Sequence, residues 1–320
     1  MPSFKTYVPE GVIPACLLPF DDDLNIDEAA YRKHLRDVAA VDGLSAITTN
    51  AHASEVASCT FEEQRRVLDL TMDEIGDAIP VVNGIYADGS QEAARLARMA
   101  ERGGASGLLV FPPNPFSLGA HSRPEMALTH FKTIADATDL PIICFQYPLG
   151  GGQGYLLDIL VRLAEEVPTV RAIKDWSDNV RLHERHIRVL QNLTRPVNVL
   201  STHSAWLMSS LALGCNGLLS GSGSVIADLQ VALWRAIQAG DLPRARRLND
   251  RIYPTAEAFY ADPFADMHNR MKAALVVLGR IPNAAVRPPL VKVGDAEIER
   301  IRRALDEAGV RPDGALLEAA

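Results

Sequence analysis

Cysteine is scarce: Cys16, Cys59, Cys144 and Cys215 are the only four in 320 residues, far apart and with no Cys-x-x-Cys pair. That excludes a disulfide framework and a cysteine-based redox motif. Three of them lie in apolar runs and read as buried thiols in a reducing compartment. A basic excess is also missing, since 32 Lys and Arg face 40 Asp and Glu for a formal charge of -8, with both signs interspersed. No basic stripe is available to neutralise a phosphate backbone, so nucleic acid is not an expected partner. No apolar run approaches the roughly 18 residues of a membrane span, and the start MPSFKTYVPEG lacks a basic segment followed by an apolar one. The chain is expected to be cytoplasmic and to make no membrane contact. Aromatics reach only 6%, yet hydrophobic residues total 48%, enough to bury a core without disulfides or metals.

Short apolar or β-branched runs recur between segments of helical periodicity: GVIPACLLPF from Gly11, LSAITT from Leu44, PVVNG from Pro80, GLLVFPP from Gly107, PIICFQYP from Pro141, VRAIKD from Val170, VNVLST from Val197 and GLLSGSG from Gly217. None is followed by a two-residue hairpin turn, so the strands are joined by crossovers and lie parallel. Eight parallel strands separated by helices predict a (β/α)8 TIM barrel. QEAARLARMAERGG from Gln91 repeats its apolar positions every three or four residues and ends on glycines. Thr60 and Glu63 have the spacing of a capping box. After the eighth strand, helical stretches at about 228–239, 242–259 and 263–278, and a charged helix from Asp295, form a C-terminal helical appendage. The barrel is assigned to residues 1–227 and the appendage to 228–320. The glycine run GGGQG at 150–154 lacks the Gly and Lys pattern of a phosphate loop and reads as a mobile loop beside the mouth.

In such a barrel the reactive groups lie where strands end, and the strongest of these is Lys174. Alternation along Val170–Lys174 puts Ala172 and Lys174 on one face, with Ile173 on the other. An enclosed lysine has a lowered pKa and attacks a ketone as a neutral amine. Spacing alone leaves a second reading open, a strand-end lysine paired with Asp175.

The segments PVVNGIYADGSQEAARLA, GGASGLLVFPP, HFKTIADATDLPIICFQYP, AIKDW, LSTHSAWLMSSLALGCNGLLSGSGSV and the terminal VRPPL, with the opening strand Gly11–Phe20, occur here in one order. In them the chain resembles the pyruvate-type Schiff-base lyases, the family of dihydrodipicolinate synthase and N-acetylneuraminate lyase. The resemblance implies a barrel with C-terminal helices, an imine between a 2-oxo acid and Lys174, and a homo-oligomer, with a tetramer as the expected form; no cofactor or metal is expected.

The departures from the family pattern concern the substrate. The family's YNxP tyrosine, its proton shuttle, is replaced by Phe145 in FQYP. Tyr147 lies two residues on and on the same face of the strand, where it serves as the replacement donor or as a packed wall. In the loop NAHASE, residues 50–55, the family's hydroxyl pair falls on His52 and Ala53, with Ser54 beside them. His52 is a candidate for carboxylate binding or acid-base work. A tyrosine expected after the fourth strand aligns with Asn114. The arginine that dihydrodipicolinate synthase uses for its second substrate would fall after Pro148, where Leu149 and the glycine run stand, so lysine biosynthesis is disfavoured.

His203 ends the seventh strand and is a candidate substrate contact. Gly221 and Ser222, after the eighth, are candidate holders of a carboxylate or hydroxyl. His183 and His186 in HERH, set among Arg181, Glu184, Arg185 and Arg188, read as part of a solvated helix rather than a metal site. The function expected is aldol cleavage, condensation or dehydration of a 2-oxo acid, pyruvate or a 2-oxo sugar acid, through Lys174. A metal-dependent barrel aldolase and a catalytically degenerate binding protein are the rival classes.

Overall fold

The computed structural model describes residues 4 and 6–311. Its frame is eight strands, β1 Gly11–Pro14, β2 Ile47–Thr49, β3 Val81–Ile85, β4 Gly107–Val110, β5 Ile142–Gln146, β6 Val170–Asp175, β7 Asn198–Ser201 and β8 Gly217–Ser220. Neighbours pair in parallel around the order β1-β8-β7-β6-β5-β4-β3-β2. Parallel bridges Val12 to Leu44 and Ala15 to Thr48 bring β1 and β2 together, so the sheet closes on itself as the expected (β/α)8 barrel. Residues of β3 and β5 are buried throughout, which explains why these strands read as continuous apolar runs.

The connecting helices are α1 Glu28–Ala39, α2 Phe61–Ile75, α3 Ser90–Arg102, α4 Pro124–Ala135, α5 Leu157–Glu166, α6 Val180–Leu190, α7 Leu207–Ala212 and α8 Gly223–Gln238. Thr60 and Glu63 cap α2 reciprocally, as their spacing predicts: Thr60 N–H donates to Glu63 Oε2 at 2.8 Å, and Glu63 N–H to Thr60 Oγ1 at 3.2 Å.

Three more helices follow, α9 Leu242–Phe259, α10 Met267–Val277 and α11 Asp295–Ala308. The stretch expected to be helical from Pro263 begins with a short 3-10 turn, Phe264–Asp266, and becomes α-helical only at Met267. α8 starts five residues before the expected position and bends at Ile226, where φ is −127° and ψ 36°, beside the assigned division at residue 227. α9 packs on α8 and α11, and α10 lies against α11 and α8. Among the described residues no helix is long and apolar enough to cross a membrane.

Candidate active site

Lys174 is the next-to-last residue of β6, paired with Phe145 on β5 and Leu200 on β7. Its side chain enters a cavity at the barrel mouth with about 450 Å³ of empty space, opening included. Asp175 turns to the other side of the strand, so the alternative pairing of these neighbours does not occur. The ammonium position lies 4.1 Å from the centre of the Phe145 ring, and among the described residues no carboxylate bonds to it. Burial without a counter-ion lowers the Lys174 pKa from 10.5 to about 7. The amine is therefore substantially unprotonated at neutral pH.

His52 reaches the same cavity from the loop after β2. Asn50 takes a left-handed backbone, φ 51°, and its amide donates to Gln64 O and Asn83 Oδ1, both at 2.8 Å. Gly84 on β3 makes room for this loop, because a Cβ there would lie 1.9 Å from Asn50 O. His52–Ser54 then forms a 3-10 turn, in which the first two N–H groups, those of His52 and Ala53, have no acceptor within the turn. The His52 ring lies against Phe111, 4.7 Å between centroids, and its Nε2 is 2.9 Å from the Tyr147 hydroxyl. Burial, with Lys174 nearby, lowers the His52 pKa to about 3, and burial raises that of the Tyr147 phenol. Both groups are neutral and share one hydrogen bond.

The remaining candidates divide. Ala53 and Gly221 line the cavity with Lys174 and His52. Ser54 donates to Cys16 O at 2.9 Å and fastens the loop to the end of β1. Ser222 bonds Ser220 Oγ and accepts from Gln230, each at 2.9 Å, behind the cavity wall. His203 stacks on Trp206, 4.1 Å between centroids, and its Nε2 accepts the Asp178 N–H at 3.2 Å, outside the cavity. Asn114 donates to Tyr86 Oη at 3.1 Å, and Tyr86 stands edge-on to His52. The glycine run forms a 3-10 turn, Leu149–Gly151, and does not line the cavity.

The expectation of a solvated helix at His183 and His186 is corrected. Both are fully buried, and both Nδ1 atoms lie 2.8 Å from Asp175 Oδ2. They share the inner face of α6 with Ile187 and Leu190, while the arginines and Glu184 that suggested solvent occupy the rest of the helix. Burial alone would raise the Asp175 pKa, but the two imidazole hydrogen bonds outweigh it and hold the carboxyl well below its usual range. For His183 the Asp175 bond likewise overcomes burial and raises the pKa. His183 Nε2 continues to Ser210 Oγ at 2.8 Å, and Ser210 to Ser201 at 2.5 Å.

Ligand atoms of Asp175, His183 and His203 gather within 4.8 Å, a spacing open to a metal ion. The donor set does not fit one. Asp175 Oδ2 accepts from two histidines, its Oδ1 accepts the Ser177 N–H at 2.8 Å, and His203 Nε2 accepts the Asp178 N–H. A metal ion there would have to displace these hydrogen bonds.

Sequence reasoning missed the roof. Tyr260, Phe264, Met267 and His268, from the C-terminal segment, line the cavity opposite Trp176 and Thr202 of the barrel. Glu55, at the end of the His52 loop, is tied to the same region. Its carboxylate accepts from Lys272 Nζ on α10 and, at 3.0 Å, from the Arg287 N–H. Lys272 is fully buried, and the Arg287 guanidinium bonds both oxygens of Glu63, at 2.5 and 2.9 Å. The available signal was the single lysine, Lys272, inside an otherwise apolar stretch, MKAALVV.

Comparison with known proteins agrees with this architecture. Residues 8–308 match the dihydrodipicolinate synthetase family. A 4-hydroxy-tetrahydrodipicolinate synthase of Methanopyrus kandleri is 29% identical over 310 residues, covering 95% of this chain and 98% of its own. One from Syntrophus aciditrophicus is 28% identical over 303 residues, covering 94% and 99%. Among solved structures, dihydrodipicolinate synthase of Thermotoga maritima has a TM-score of 0.84 at 24% identity, covering 95% of this chain and 100% of its own. YagE of Escherichia coli K12, a prophage protein of this family solved in complex with pyruvate, has a TM-score of 0.86 at 22% identity, covering 94% and 99%. These two structural likenesses bear on the fold, and the match across nearly the whole sequence decides the relationship: this chain belongs to the dihydrodipicolinate synthetase family.

Proposed function

We propose that this chain, a lyase of the class I aldolase type, forms an imine between Lys174 and a 2-oxo acid, with pyruvate as the keto component. The carrying observation is a buried strand-end lysine, with no carboxylate bonded to it among the described residues, facing the cavity at the barrel mouth. The neutral Nζ adds to the ketone and water leaves, making the carbon an electron sink. Loss of a C3 proton gives an enamine, whose C3 bonds to an aldehyde carbon while the aldehyde oxygen takes a proton. The reverse sequence is aldol cleavage, and loss of the new hydroxyl as water is dehydration. YagE, with the same fold, was solved with pyruvate, which supports this keto component.

In this reading Tyr147 donates the proton and His52 completes the relay. The hydrogen-bonded pair takes the proton that C3 loses and returns it to the aldehyde oxygen through the 2.9 Å bond, so it holds one extra proton only between these two steps and ends neutral. Ala53, with the free N–H groups of its turn, and Gly221 hold the carboxylate. Ser54, Ser222 and His203 support the walls. The enzyme is proposed to be cytoplasmic and, on the family resemblance, a homotetramer.

Incubation with pyruvate and borohydride tests the reading. The expected result is the mass of the reduced pyruvate adduct on Lys174, absent from Lys174→Ala. No adduct with pyruvate or a range of other 2-oxo acids, or an adduct on a different lysine, overturns it.

A further inference from the structure

We infer that the segment Tyr260–His268 selects the second half of the substrate, and that this half is an uncharged, flat group: an aromatic or conjugated aldehyde in the condensation direction. The inference rests on the imine reading and concerns the part of the cavity that pyruvate leaves open.

The walls away from Lys174 are aromatic on both sides. Trp176, two residues beyond Lys174, faces Phe264 with ring centroids 5.3 Å apart and planes 13° from parallel. Tyr260 flanks Phe264 at 6.0 Å, Tyr147 flanks Trp176 at 5.4 Å, and Met267 completes the lining. Trp176 and Phe264 stack on each other and leave no gap for a third ring, so a flat group lies along the edges of this aromatic cluster and gains burial and edge-to-face contact. Flexible Met267 adapts to its edge.

Charge argues the same way. No carboxylate, arginine or second lysine lines the cavity among the described residues. Lys174 is consumed as the imine, and burial keeps His52 and His268 neutral. A carboxylate or phosphate on the aldehyde would lose its hydration beside the carboxylate of pyruvate, with no cation to receive it. A neutral ring meets no such cost.

His268 adds a polar point to this apolar wall. It projects from α10 until its Nε2 lies against Gly221, where a Cβ would come within 2.9 Å. Among the described residues the ring makes no hydrogen bond. A neutral imidazole offers one donor and one acceptor. It suits the aldehyde oxygen, which becomes the hydroxyl of the product, or a hydroxyl carried by the ring. The balance is that of an aldol addition: pyruvate and the aldehyde combine atom for atom into a 4-hydroxy-2-oxo acid, and the optional second step releases one water.

The test supplies the full-length enzyme and pyruvate with benzaldehyde, glyceraldehyde 3-phosphate or succinic semialdehyde, and measures the 4-hydroxy-2-oxo acid formed. The expected kcat/KM for benzaldehyde exceeds that for either anionic aldehyde by about tenfold or more, the scale on which pocket contacts discriminate. Phe264→Ala should narrow this ratio, and Phe264→Arg should shift it toward the anionic aldehydes. Pyruvate trapping at Lys174 with an anionic aldehyde preferred, or with a ratio unmoved by either substitution, overturns this inference and leaves the imine reading standing. Failure to trap any 2-oxo acid overturns both.

Discussion

Tyr147 and His52 meet across the barrel mouth, phenol oxygen to imidazole Nε2 at 2.9 Å, from strands that are not neighbours in the sheet. The contact joins two residues 95 positions apart in sequence. In the proposed mechanism it gives the proton a route where Phe145, at the position matched to the family's tyrosine, offers none. Tyr147→Phe should lower turnover by about 10²- to 10⁴-fold, the range for loss of a general acid or base. Borohydride trapping at Lys174 should persist in that variant. Near-normal turnover would remove Tyr147 from the mechanism and leave His52 or an ordered water as the donor.

Imine formation should follow the lysine's lowered pKa. The reactive amine is the deprotonated form, so the trapping rate with pyruvate is expected to rise with pH about a midpoint near 7 rather than 10.5. A midpoint above 9 would mean that the ammonium is stabilised by a counter-charge and that the cavity is wetter than its walls imply.

Behind β6, Asp175 and its two histidines should carry stability rather than chemistry. Asp175→Asn leaves both buried imidazoles, His183 and His186, without their anion and is expected to cost about 3–5 kcal/mol in urea unfolding. The depressed Asp175 pKa contributes stability above the unfolded carboxyl value of about 3.9, lost as pH falls through the folded value. The raised His183 pKa contributes fully below about 6.5 and is lost as pH rises through its folded value. The gap between wild type and variant should therefore be widest between these limits. A gap below about 1 kcal/mol at pH 6 would show that the cluster is not a coupled pair.

Lys272→Met should affect the active site through the His52 loop. Removing the ammonium leaves Glu55 buried, with the Arg287 N–H as a remaining partner. The expected outcome is a loss of about 3–5 kcal/mol in stability and a fall in kcat. Unchanged kcat in a destabilised variant would show that the loop holds His52 without this tie.

The assembly is checked by light scattering, where a mass about four times 34.8 kDa is expected. A monomer at micromolar concentration would refute the tetramer.

The barrel was legible because its strands are short apolar runs with helical segments between them, and Lys174 because alternation fixes its face. His183 and His186 were misread because their immediate neighbours are charged. The informative positions lay three and four residues away, with Ile187 and Leu190 completing a buried stripe. The aromatic roof was not legible at all. Phe264 and His268 lie about 90 residues from Lys174, in a segment with no strand-end rule to direct attention to it. Which end of the barrel α10 covers is set by tertiary packing, not by local pattern.

The bond between Glu55 and Lys272 spans 217 residues of chain. During synthesis the His52 loop is made early, while its buried counter-charge, and the roof beside it, emerge only after every barrel strand has been completed. A nascent chain ending after β8 thus has Lys174 and the barrel-side ties of the His52 loop, but neither the buried ammonium that faces Glu55 nor the roof over the mouth. The order of synthesis keeps a reactive amine in an unfinished pocket until the last helices dock, and catalytic competence should appear late, in one step, with their arrival.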